Sequence, residues 1–96
     1  MSKIALVTGG SRGIGFGIAE KLASEKWDLV INGVELEDAV AEPLAQLRAL
    51  GVRVGYARGD VGSVAGRDAI HAATQAFTGG AAINVLVNNT GVAPKV

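Results

Sequence analysis

The chain has 96 residues, 49% of them hydrophobic, with nine acidic and nine basic side chains and no cysteine. That length holds one small domain. The balanced charge argues against nucleic acid or an anionic membrane as partner, since both call for a basic excess, and without thiols there is neither a disulfide framework nor a thiolate metal site.

The opening MSKIALVTGG carries one lysine and a short apolar block, too short for a signal-peptide core or a membrane span. A soluble, cytoplasmic protein is expected. Ile4–Val7 reads as strand one, apolar throughout as suits a strand covered on both faces. From Ile14 the period changes: Ile14, Ile18 and Leu22 recur every fourth residue with Ala19 and Ala23 beside them, and Glu20, Lys21, Glu25 and Lys26 fall elsewhere on the wheel. This predicts an amphipathic helix of about three turns. Trp27 is expected to pack under its end.

Leu29–Asn32 is strand two. Leu36–Leu50 is a helical pattern through Val40, Leu44, Leu47 and Leu50, capped by Gly51. Pro43 inside it marks either a kink or the true first turn. The acidic Glu37, Asp38 and Glu42 suit a helix start and call for no metal. Val52–Ala57 is strand three. Ser63 caps a third helix whose Ile70, Ala73 and Phe77 share a face, and Gly79-Gly80 ends it. Ile83–Val87 is strand four. Strands alternating with helices imply right-handed crossovers and a parallel sheet. The expected fold class is therefore α/β, a Rossmann-type doubly wound sheet of order 3-2-1-4 with helices on both faces, residues 1–96 forming part of one such domain.

Five glycines fall between Gly9 and Gly17, filling the turn between strand one and helix one. That turn lies at the carboxyl edge of the sheet, where open α/β folds bind ligands. The N–H groups of a helix's first turn lack intrahelical partners and carry the positive end of the helix dipole. A phosphate there is held by backbone alone, provided no side chain obstructs it. Gly9 would permit the tight turn, Gly13 the approach of phosphates, and Gly15 the packing of helix on strand. The spacing Thr8-Gly9-x-x-x-Gly13-x-Gly15 is not that of a nucleotide-hydrolase phosphate loop, which needs a following Gly-Lys-Ser/Thr. A methyl-donor-binding loop would leave Thr8–Arg12 unexplained.

With TGGSRGIG at Thr8–Gly15, GDV at Gly59–Val61 and NNTG at Asn88–Gly91, the chain resembles the short-chain dehydrogenase/reductase family over essentially its whole length, most like the 3-oxoacyl-carrier-protein reductases. Thr90 stands where the family usually has alanine. The resemblance implies that Gly9, Ser11, Arg12, Gly13, Ile14 and Gly15 surround the pyrophosphate and adenosine ribose of a nicotinamide cofactor. It implies that Asp60 accepts from the adenine amino group with the Val61 backbone beside it, and that Asn88 and Gly91 lie along a ribose. Asp60 is open to a second reading, an Asx turn leading into the helix capped by Ser63. An acid at the end of strand two would favour NAD; Gly33 stands there, with Glu35 two residues on, so the expected cofactor is NADP, with NAD the alternative.

The family's activity needs a tyrosine acid/base with a lysine four residues later, since hydride transfer to a carbonyl requires a matched proton donor. The single tyrosine, Tyr56, lies in strand three and is followed four residues on by Asp60. His71, mid-helix among alanines, reads as a surface residue rather than a catalytic one. No catalytic residue is therefore assigned. The expectation is the amino-terminal, cofactor-binding part of a longer oxidoreductase acting on a small carbonyl or secondary alcohol, and the resemblance implies a homo-oligomer. The competing expectation is a non-catalytic dinucleotide-binding module.

Overall fold

The computed structural model describes residues 3–11 and 13–88. The elements follow in the order β1 (Ile4–Val7), α1 (Gly13–Ser24), β2 (Asp28–Gly33), a 3-10 turn (Glu37–Val40), α2 (Ala41–Arg48), β3 (Val54–Arg58), α3 (Val64–Thr78) and β4 (Val85–Val87). The strands form one parallel sheet of order β3-β2-β1-β4. This is the expected Rossmann order, with the chain crossing over outside β1 so that β1 and β2 are central.

Side chains alternate across the sheet and build two apolar layers. On one face Ala5, Val7, Leu29, Ile31 and Val54 pack with α1 and α2 through Ala19, Ala23, Leu44 and Leu47. On the other, Ile4, Leu6, Val30 and Ala57 pack with Ile70 of α3, edged by Ala73 and Phe77. Each fully buried Leu or Ile contributes about 1.5–3 kcal/mol, and Leu29, Ile31, Leu44 and Leu47 are all in that class. Trp27 joins the first layer as a half-buried ring, with the Lys3 ammonium 5.3 Å from its centroid.

The structure moves several expected boundaries. The α1 stripe that meets the sheet is Gly15, Ala19 and Ala23, not the one led by Ile14, which is 77% exposed. Small residues bring the helix axis close to the strands, while Ile14, in the first turn at the carboxyl edge, has no strand beneath it. The helix expected over 36–50 is a 3-10 turn followed by α2. Pro43 is the third residue of α2 and so marks a first turn, where its missing N–H costs nothing. Strand three runs Val54–Arg58, beginning two residues later than expected. Strand four is shortened to Val85–Val87, because Asn84 binds β1 by a local exchange: its N–H donates to the Ile4 carbonyl (2.8 Å) and its Oδ1 accepts from the Ile4 N–H (2.9 Å). Leu86, in this edge strand, is 57% exposed. Ser63 caps α3 by accepting from the Gly66 N–H at 2.9 Å, and Gly79 ends it in the left-handed conformation.

Candidate functional site

The carboxyl ends of all four strands meet at one edge, and the three motifs emerge there. The glycine turn leaves β1, the Gly59–Val61 turn leaves β3, and Asn88 follows β4. Two of the expected site residues, Arg12 and Gly91, lie outside the described residues.

Within the first turn the glycines divide by environment. Gly9 (φ +63°) and Gly13 (φ +62°) adopt a left-handed backbone that other residues rarely take. Among the described residues, a Cβ built on Gly13 meets nothing within 4 Å, so the helix begins beside space that these residues leave open. Gly10 is the opposite case: its Cβ would lie 3.0 Å from the Val7 carbonyl oxygen and 3.2 Å from Ile31 Cδ1. It lets the turn lie flat on the sheet, a role that sequence reading left unassigned. Gly15 is buried in α1, as expected. Ser11 is buried, with its hydroxyl toward Gly33, and Ile14 projects outward at the mouth. An anion placed over Gly13 therefore meets amides and the helix dipole without obstruction. The residues present fit a phosphate-bearing cofactor.

Asn32 is the residue that sequence reading missed. It is 1% exposed at the end of β2. Its Nδ2 donates to the carbonyls of Ala57 (2.9 Å) and Gly59 (3.1 Å), and its Oδ1 accepts from the Gly9 N–H (3.4 Å). The Gly10 N–H donates to its main-chain oxygen at 3.1 Å. One buried amide thus ties the glycine turn to the turn after β3. The available signal was a single polar residue closing the apolar run LVI.

The remaining turns are fixed in similar ways. Asp60 Oδ1 accepts from the Gly62 N–H at 2.8 Å, which is the Asx turn anticipated as an alternative. The residue is nonetheless exposed at this edge. Val61 is half-buried against the α3-side layer, and its carbonyl accepts from Arg67 at 3.0 Å. The buried Thr8 joins the glycine turn to the end of β4: its N–H donates to the Val87 carbonyl (3.0 Å) and its hydroxyl contacts Asn88 Oδ1 (3.3 Å). From Thr8, Val61 and Asn88 an open groove of about 630 Å³ runs down the α3 face between α3 and β4, lined by Leu6, Ile70 and Leu86. His71 borders this groove as an exposed helix residue. Among the described residues no cluster of three metal-ligating side chains is present, and no helix is long and apolar enough to cross a membrane.

Comparison with known proteins agrees with this geometry. Residues 3–96 match the profile of the short chain dehydrogenase family. Over 90 residues the chain is 40% identical to a D-beta-hydroxybutyrate dehydrogenase of Cupriavidus necator, covering 94% of this chain and 34% of that protein. A 3-oxoacyl-[acyl-carrier protein] reductase from Brucella melitensis, solved in complex with NAD, superposes with a TM-score of 0.82 at 41% identity, covering 95% of this chain and 34% of the other. L-Sorbose reductase from Gluconobacter frateurii, solved with NADPH and L-sorbose, gives 0.85 at 35% identity, with coverages of 95% and 34%. The chain spans about a third of the length of the curated relatives it matches.

Proposed function

Because the chain belongs to the short-chain dehydrogenase family, we propose that it supplies the nicotinamide-cofactor-binding part of a Rossmann-type oxidoreductase. The protein that carries it would interconvert a small carbonyl compound and its secondary alcohol, and 3-oxoacyl thioesters are the first substrates to try. The observation that carries this reading is the open left-handed Gly13 at the start of α1, beside a turn held rigid by Asn32 and Thr8. When bound, the nicotinamide supplies or accepts the hydride. This chain's residues hold and orient. The first turn of α1 takes the pyrophosphate, with Gly9, Ser11, Arg12, Gly13, Ile14 and Gly15 around it. Asp60 and Val61 take the adenine, and Asn88 and Gly91 flank a ribose. The chain has no Tyr-x-x-x-Lys pair, so the proton-transfer groups are assigned to the rest of the protein. A cytoplasmic location and a homo-oligomeric state belong to the same proposal, and light scattering on the full-length protein tests the second.

NADP(H) is the proposed cofactor, since Gly33 puts no carboxylate of its own at the end of β2, where one would repel a 2′-phosphate. A second reading, NAD(H), is favoured by one specific contact: Glu35 Oε1 lies 3.0 Å from where a Cβ on Gly33 would be, placing a carboxylate near that position. Titration of the full-length protein with NADPH, NADH and S-adenosylmethionine tests both. Tight NADPH binding and no methyl-donor binding support the proposal; tighter NADH binding selects the second reading, and methyl-donor binding alone overturns both.

A further inference from the structure

Tyr56 stands in β3 opposite Ile31 of β2. Its ring packs half-buried against the α1/α2-side layer, and its hydroxyl reaches past the end of β2. There it donates to the Glu35 carbonyl at 2.7 Å. A Cβ added to Gly33 would lie 2.7 Å from that same hydroxyl oxygen, closer than real Cβ contacts come. The other two neighbours are less restrictive. Glu35 Oε1, at 3.0 Å, ends a flexible side chain, and Ser11 Oγ, at 3.4 Å, makes an ordinary contact. Tyr56 is the rigid one, its ring held by the layer and its oxygen by the hydrogen bond.

We propose that Tyr56 is a specificity-determining residue: by occupying the space over Gly33 it bars a side chain, an acidic one included, at position 33 itself, and leaves the flexible Glu35 carboxylate, 3.0 Å from that Cβ position, as the acid beside the end of β2. It acts through Gly33 and through the Val34–Leu36 turn that it anchors, not by contact with substrate. The inference rests on the cofactor reading above, but its steric half does not, and the two are separable by experiment.

The test is a set of variants of the full-length protein: Gly33→Ala and Gly33→Asp, each alone and combined with Tyr56→Phe, which deletes only the obstructing oxygen. Gly33→Ala is expected to lower the melting temperature by several degrees with Tyr56 present and by less than half as much in the Tyr56→Phe background. Gly33→Asp alone is expected to weaken both cofactors. With Tyr56→Phe it should shift the NADH-to-NADPH affinity ratio toward NADH at least tenfold beyond the single variant. If Gly33→Asp alone fails to fold and the combination folds, the proposal is supported. Equal melting losses for Gly33→Ala in both backgrounds overturn it, as does a full cofactor shift from Gly33→Asp alone at unchanged melting temperature. A native protein that prefers NADH contradicts the NADP(H) reading, and the Gly33→Ala pair then decides the role of Tyr56 without reference to cofactor.

Discussion

Replacing Asn32 by aspartate exchanges one NH2 for one oxygen at a site that is 1% exposed. The native Nδ2 serves two carbonyls, of Ala57 at 2.9 Å and Gly59 at 3.1 Å. At low pH the new carboxyl is neutral and keeps one O–H donor, so one of the two bonds is lost, at about 0.5–1.5 kcal/mol. As pH rises the carboxyl must ionise facing two carbonyl oxygens in a buried site. Burial first, and the facing oxygens second, raise its folded-state pKa above the unfolded value of about 3.9. A group raised in this way favours folding below the unfolded pKa and loses that contribution as pH rises toward the folded one. Once ionised it offers neither carbonyl a donor, which adds about 1–3 kcal/mol to the lost bond. The total, about 1.5–4.5 kcal/mol, is a large share of the ~5–15 kcal/mol that stabilises a typical domain. Urea unfolding of the variant and the native protein across pH 4 to 7.5 measures it. The stability difference should grow with pH and then level off. A difference that stays flat with pH would refute the reasoning, because it would mean that the amide does not face buried acceptors.

Gly13→Val should lower dinucleotide affinity at least tenfold by filling the open space over the first turn, with a stability cost of about 1 kcal/mol or more from its left-handed backbone; titration calorimetry and thermal melting read the two separately. Gly10→Ala should cost about 1–3 kcal/mol through overpacking on Val7 and Ile31, seen as a lower urea midpoint. Asp60→Asn keeps an oxygen for the Gly62 N–H, so melting should move little while adenine-nucleotide affinity falls; unchanged affinity would leave the Asx turn as its whole role. Ser63→Ala should cost about 1 kcal/mol by removing the cap of α3, measurable by urea titration.

The order of elements was legible because each signal is local: an apolar run for a strand, a fourfold recurrence for a helix, and Ser63 and Gly79 for the ends of α3. What was not legible depended on neighbours. Ile14 and Ala19 both fit an apolar stripe, and only the sheet's extent decides that Ala19 is covered and Ile14 is not. Pro43 offered a kink or a true first turn, and the structure takes the second; the 3-10 turn before it is what the Val40–Leu44–Leu47 period does not reveal. The same division holds at the site. The glycine spacing pointed to an anion cradle, but which glycine faces open space (Gly13) and which faces the sheet (Gly10) follows from packing. Asn32 went unassigned because its partners are main-chain atoms of β3 and the glycine turn, about 25 residues away on either side. The Tyr56–Gly33 approach is likewise a cross-strand contact that sequence spacing does not announce.

The whole account depends on where the diphosphate goes. A crystal structure of the full-length protein with NADPH locates it directly. The account predicts pyrophosphate density against the main-chain amides that open α1, over Gly13, with the adenine toward Asp60. Density elsewhere, such as in the groove between α3 and β4, with the Gly13 corner empty, would contradict it.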